Sequence, residues 1–136
     1  MSASEDGYQM AKAKLKILYG EGDEDVLKAQ AAEFEKAGHS VQAALGRKKV
    51  DEELKKSAFD LVMLGATLSR NDRHHLPYMA KKANGEIKVL VMHADGTRHP
   101  YVDACCDTGA SIENVLNRIE SMKIAGTAAI GAAAGR

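Results

Sequence analysis

Two kinds of segment alternate along this chain. The first is a short, nearly continuous apolar run. Leu15-Lys-Ile-Leu-Tyr19 ends at Gly20, Phe59-Asp-Leu-Val-Met-Leu64 ends at Gly65, and Ile87-Lys-Val-Leu-Val-Met92 leads into His93. Runs of this length, closed by glycine or a polar residue, predict strands covered on both faces. The second kind repeats its apolar residues every three or four positions, as one face of a helix does. Val26, Leu27, Gln30, Ala31 and Phe34 mark a helix over 26–37, with acids at 23–25 before it, Lys36 near its end and Gly38 beyond. Val50 and Leu54 mark a short charged helix over 50–57. Leu76, Met79 and Ala80 mark another over 72–83, but Pro77 lies inside it. A proline past the first turn removes a hydrogen bond, so the true start is expected near Leu76. Ile112, Val115, Leu116 and Ile119 form the stripe of a closing helix over 111–122. Weaker strands are expected at 39–44 and 101–105.

Strand and helix therefore alternate, except that only a loop separates the last two strands. A parallel sheet with helices on both faces satisfies that order, and the right-handed crossover rule makes it doubly wound. The expected fold is α/β and flavodoxin-like, a five-stranded parallel sheet in the order 2-1-3-4-5 with the helix between strands four and five reduced or absent. One domain spans 15–122, between a polar arm at 1–14 and an Ala/Gly-rich tail at 123–136.

Composition narrows the function. The 136 residues carry 19 basic and 19 acidic side chains, so no chain-wide basic field exists for nucleic acid or an acidic membrane. With no Trp and only two Phe, an aromatic platform for single-stranded RNA is not expected. The two cysteines, Cys105 and Cys106, are adjacent and cannot staple a fold. The acidic start does not read as a secretory signal, and the weakly apolar stretch 124–134 is short of the roughly 20 residues a bilayer span needs. A soluble, cytoplasmic protein is expected, with neither membrane nor nucleic acid as partner.

In such a sheet, sites form beyond the carboxyl ends of the strands, near the switch between strands one and three. The residues there are Tyr19-Gly-Glu-Gly-Asp23, Gly65-Ala-Thr67, His93-Ala-Asp95 and Cys105-Cys-Asp-Thr108.

Ile17-Leu-Tyr-Gly-Glu-Gly-Asp-Glu24, Glu35-Lys-Ala-Gly-His-Ser-Val41, Phe59-Asp-Leu-Val-Met-Leu-Gly65 and the closing Asn114-Val-Leu-Asn-Arg-Ile119 together resemble the receiver domain of bacterial response regulators, over about residues 15–122. That resemblance implies a place for each group of the family's phosphorylation chemistry. The acid pair that holds Mg²⁺ falls on Glu21 and Gly22. The phosphoacceptor falls on Gly65, the hydroxyl after strand four on His93, and the lysine of strand five on Cys105, with Cys106 where a proline usually follows. The stretch from His93 to Cys105 is also shorter than the family's, its helix shrunk to the turn at 95–100. A glycine cannot form an acyl phosphate, and Glu21, with Asp23 at best nearby, is a poor substitute for the acids of an octahedral Mg²⁺ shell. The expectation is a pseudo-receiver, with the fold kept and the phosphorelay reaction lost.

Other residues admit a second reading. Gly20-x-Gly22 lacks the third glycine of a dinucleotide turn, since position 25 is Asp. His93, His99, Asp103, Cys105 and Cys106 are zinc-type ligands without zinc-site spacing, and neighbours on a strand face opposite ways. His74-His75, with Arg70, Arg73, Lys81 and Lys82, reads as a solvated helix face or as a local basic surface for an acidic partner. Tyr78 and Tyr101 read as packing residues with wet hydroxyls. Asp60 is expected to face out at a strand edge, while Met63 and Met92 fill the core.

The functional expectation is a non-enzymatic, two-component-type interaction module, independent of phosphate and without a cofactor. Its partner would be a signalling protein or a second copy, met through the closing helix and neighbouring strands. The alternative is a small redox- or metal-responsive sensor using His93 with Cys105 and Cys106.

Overall fold

The computed structural model describes residues 14–93 and 100–125. Most of the arm, the turn expected at 95–100 up to residue 99, and the tail from 126 lie outside the described residues.

Five parallel strands form one sheet in the order β2-β1-β3-β4-β5, as the alternation predicted. In chain order the elements are β1 (Lys16–Glu21), α1 (Glu24–Lys36), β2 (Ser40–Leu45), α2 (Gly46–Lys56), β3 (Leu61–Leu64), α3 (Arg70–Ala83), β4 (Lys88–Val91), β5 (Ala104–Cys105) and α4 (Ile112–Ser121). Among the described residues no helix lies between β4 and β5.

Side chains of a strand alternate between faces, so β1 feeds two cores. Ile17 and Tyr19 join Leu27, Ala31 and Phe34 of α1 and Val115 and Ile119 of α4 on one side. Leu18 joins Val50 and Leu54 of α2 and Leu76 and Ala80 of α3 on the other. Tyr19 meets Phe34 edge-on, with ring centroids 5.4 Å apart. This double burial is why β1, β3 and β4 read as unbroken apolar runs.

Three local expectations need correction. Helix α3 does not start near Leu76. It runs from Arg70 straight through Pro77, with the Ser69 side chain capping the Asp72 N–H at 3.1 Å. Leu76, Pro77 and Ala80 are all buried, so the apolar contact of this stripe outweighs the lost hydrogen bond, a penalty of about 3 kcal/mol in an exposed helix. Asp60 does not face out. It is 7% exposed, and its carboxylate takes the Lys16 N–H at 2.7 Å, just where β1 and β3 begin to pair. Finally, β5 is two residues long rather than five. Upstream of it the Asp103 carboxylate accepts the Val89 N–H and the Lys81 ammonium, each at 2.8 Å. A side chain there does part of what strand pairing would do.

Candidate functional site

The carboxyl ends of β1 and β3 bring together four residues: Glu21, Gly22, Gly65 and Thr67. The Gly65 N–H donates to the Gly20 carbonyl at 2.8 Å, which sets Glu21 directly beside Gly65. Glu21 shares a face with Tyr19 and is only 1% exposed. A buried carboxyl group is costly unless it is hydrogen-bonded. Here the Thr67 N–H donates to its Oε1 at 3.0 Å, the Thr67 hydroxyl donates to the same oxygen, and the Tyr19 hydroxyl donates to Oε2. The Tyr19 hydroxyl also lies 2.7 Å from the Gln30 side-chain amide of α1. Burial, then the hydrogen bond and charge of Glu21, push the Tyr19 phenol far above its ordinary pKa, so it stays a donor.

Thr67 closes the mouth of this arrangement. Its hydroxyl oxygen accepts the Gly22 N–H at 2.8 Å and the Asp23 N–H at 3.0 Å while its proton goes to Glu21. One donor and two acceptor positions are thereby used, the full capacity of a hydroxyl. Asp23 in turn caps α1 by accepting the Val26 N–H at 3.0 Å. The loops after β1 and β3 are thus tied to each other and to the start of α1.

Space is tight at both glycines. A Cβ at Gly65 would lie 1.8 Å from the Glu21 Cδ and 2.0 Å from both carboxyl oxygens. The Glu21 carboxyl group therefore occupies the volume into which any side chain at 65 would project. A Cβ at Gly22 would lie 2.4 Å from the Thr67 carbonyl oxygen, a backbone atom that cannot swing aside.

His93 and Cys105 stand apart from this cluster in their contacts. The His93 Nδ1 is 2.6 Å from the Thr108 hydroxyl, in the loop before α4. The Cys105 carbonyl accepts the Arg118 guanidinium at 3.2 Å. The two cysteines face opposite ways: Cys106 belongs to the α1/α4 core, and Cys105 packs at the margin of the α2/α3 core. Burial pushes the Cys106 thiol above its usual pKa, the reverse of what a reactive thiolate needs. Among the described residues no group of three or more His, Cys, Asp or Glu side chains is placed to hold a metal ion.

A Mg²⁺ ion of the kind the fold implies does not fit the Glu21 site. Both oxygens of Glu21 are committed to protein donors, and positions 22 and 65 carry no carboxyl group. Tyr19 and Thr67 were placed at the strand ends by the sequence and Gln30 on the face of α1, but their bonding around Glu21 was not foreseen. The available signal was a lone hydroxyl two residues past Gly65, and a tyrosine two residues before Glu21 and hence on its face.

The chain superposes on solved receiver domains. The chain superposes on a CheY-like response regulator receiver domain protein from Methanospirillum hungatei with a TM-score of 0.71, at 18% identity, covering 82% of this chain and 94% of that one. A two-component response regulator from Clostridium difficile gives 0.70 at 18% identity over 80% and 95%. The response regulator TrrA from Thermotoga maritima, solved in complex with Mg(2+)-BeF, gives 0.68 at 12% identity over 79% and 97%. No family model and no curated protein sequence matches the chain. The fold is that of the CheY-like receiver domain.

Proposed function

We propose that this chain is a receiver-type signalling module of the cytoplasm that has no phosphoryl switch and acts, without catalysis, by binding another protein. One observation carries the reading: the volume above residue 65 holds the chain's own Glu21 carboxyl group. Acyl phosphate formation needs a carboxylate at the end of β3, an open approach to it and a metal to gather the phosphoryl oxygens. Here the first is a glycine, the second is filled, and the third has no ligand set. Three donors hold the filling group from within, so the pocket is self-satisfied rather than empty. No helix among the described residues is long and apolar enough to cross a membrane.

The test is incubation with acetyl phosphate, and separately with beryllofluoride, each with and without Mg²⁺. Intact mass spectrometry and amide chemical shifts around Gly65 are the readouts. The expected result is no adduct and no shift under either condition. A stoichiometric phosphorylated species, or a Mg²⁺-dependent beryllofluoride shift centred on Glu21 and Gly65, would overturn the reading.

A further inference from the structure

Helix α3 and strand β4 are joined by the turn Asn84-Gly-Glu-Ile87. Asn84 ends the helix, its N–H donating to the Ala80 carbonyl at 3.0 Å. Its own carbonyl accepts the Ile87 N–H at 3.1 Å, and its side-chain Oδ1 accepts the Glu86 N–H, also at 3.1 Å. The side-chain bond closes a small ring of atoms that includes the Gly85 nitrogen, so the Asn84 carboxamide is folded back towards the next peptide group. Residues 84–86 are exposed, and water reaches the turn. Gly85 has no side chain to shield its nitrogen, and a Cβ there would meet no atom within 4 Å.

These are the requirements of an intramolecular acyl transfer. The Gly85 nitrogen gives its proton to water and bonds to the Asn84 Cγ. Negative charge then develops on Oδ1, the atom the Glu86 N–H faces, and a donor already aimed at developing charge lowers the barrier. Both reacting groups belong to one short loop, so their encounter costs little entropy. The bond from Cγ to Nδ2 breaks, and the nitrogen takes a proton from water and leaves as ammonia. Water opens the cyclic imide that remains. Attack at Cγ gives aspartate, and attack at the main-chain carbonyl gives isoaspartate, whose main chain runs through the former side chain. The net change is one amide and one water to one carboxylate and one ammonium ion. The other asparagines, Asn71, Asn114 and Asn117, all lie in helices. The N–H after Asn71 is held by the Ser69 hydroxyl at 3.1 Å and that after Asn114 by the Ser111 carbonyl at 3.0 Å, while Asn117 is fixed inside α4.

We infer that Asn84–Gly85 is a self-modification site, which water alone converts into aspartyl and isoaspartyl forms. The inference goes beyond the signalling reading and does not depend on it. Either product sets a negative charge at the carboxyl end of α3, where the helix dipole disfavours it. Isoaspartate also lengthens the main chain by one carbon just before Ile87, which is buried. The disturbance has a path onward. The Lys81 ammonium donates to the Ile87 carbonyl and to the Asp103 carboxylate, which also accepts the Val89 N–H. The corner is thereby linked to the approach to β5.

The test holds the full chain at physiological pH and temperature for several weeks, sampled by peptide mapping, isoelectric focusing and amide chemical shifts. The peptide containing Asn84 should gain the mass difference between an amide and an acid and split into aspartyl and isoaspartyl forms. The parent has a formal net charge of zero, so the product should focus as a separate, more acidic band. Asn71, Asn114 and Asn117 should stay intact over the same period. Shifts in the product should move at residues 84–89 and at Asp103. Gly85→Ala has room for its methyl group and keeps the fold, and it should slow the conversion about tenfold by shielding and stiffening the nitrogen. A synthetic peptide of residues 80–90 supplies the same sequence without the fold, and the folded chain should convert at least as fast. No conversion at Asn84, equal conversion at the helical asparagines, a Gly85→Ala rate equal to the parent's, or a folded chain much slower than the peptide would each overturn the inference.

Discussion

Placing one methyl group at position 65 tests the central feature of the site. In Gly65→Ala the new carbon would lie 1.8 Å from the Glu21 Cδ, whereas two carbons need about 3.5 Å. The carboxyl group must therefore retreat by nearly 2 Å, further than its three hydrogen bonds can stretch. It would leave the Thr67 N–H, the Thr67 hydroxyl and the Tyr19 hydroxyl without their acceptor. Overpacking costs about 1–3 kcal/mol, and abandoned buried donors cost about 1–3 kcal/mol each before water reaches them. Water can enter beside exposed Gly22, so a net loss of about 3–5 kcal/mol is expected, a large share of the 5–15 typical of a domain. With a urea slope of about 1–2 kcal/mol/M the midpoint should fall by about 1.5–5 M, followed by far-ultraviolet circular dichroism because the chain has no Trp. The backbone at 65 offers no competing explanation, since it is absent from the residues with positive φ. Trimming Glu21 to alanine should make room for the methyl group. The double variant Glu21→Ala/Gly65→Ala should then be more stable than additivity allows, by about 2 kcal/mol. A Gly65→Ala midpoint within error of the parent, or a strictly additive double variant, would refute the reasoning.

Three further outcomes follow from other parts of the structure. Thr67→Val keeps the shape but removes the acceptor of the Gly22 and Asp23 N–H groups, so it should cost about 1–3 kcal/mol and speed hydrogen exchange at those two amides, measured by NMR; unchanged exchange would contradict the bridge. His39 accepts the Leu15 N–H on Nδ1 at 3.1 Å, and burial holds its pKa below the usual value, opposed by Glu120 and assisted by Lys14. The folded chain therefore favours the neutral ring: its contribution is complete above the unfolded value of about 6.5 and is lost as pH falls through 6.5 towards the folded pKa. Urea titrations at pH 7.5 and 5.5 should show a stability loss that His39→Gln reduces, and an identical loss in both proteins would refute the assignment. Thiol labelling at neutral pH should leave Cys106 protected until the chain unfolds, and rapid labelling there would revive a redox role.

Much of the architecture was legible because burial leaves a pattern. β1, β3 and β4 are apolar on both faces, α1 carries its acids, Lys36 and Gly38 in the expected places, and alternation with the right-handed crossover rule points to the doubly wound sheet. Errors arose where one side chain replaces a backbone partner or where packing overrides propensity. Asp60 and Asp103 each take a backbone N–H at the margin of the sheet, so an acid that looked solvated is structural and a strand that looked long is short. Pro77 is tolerated because the stripe around it is buried. At the site, the glycines at 22 and 65 and the acid at 21 were visible by position. The destination of the Glu21 side chain was not, because it depends on empty space at residue 65 and on donors from Thr67, 46 positions away.

The steric demands of Gly22 and Gly65 also bear on how such a chain can change over generations. An aspartate arriving alone at 65 would collide with Glu21, and one arriving alone at 22 would collide with the Thr67 main chain. No single codon change therefore leads from this cluster to a carboxylate triad through a well-folded intermediate. The interior of this protein stays on the far side of a valley that only coordinated replacements can cross.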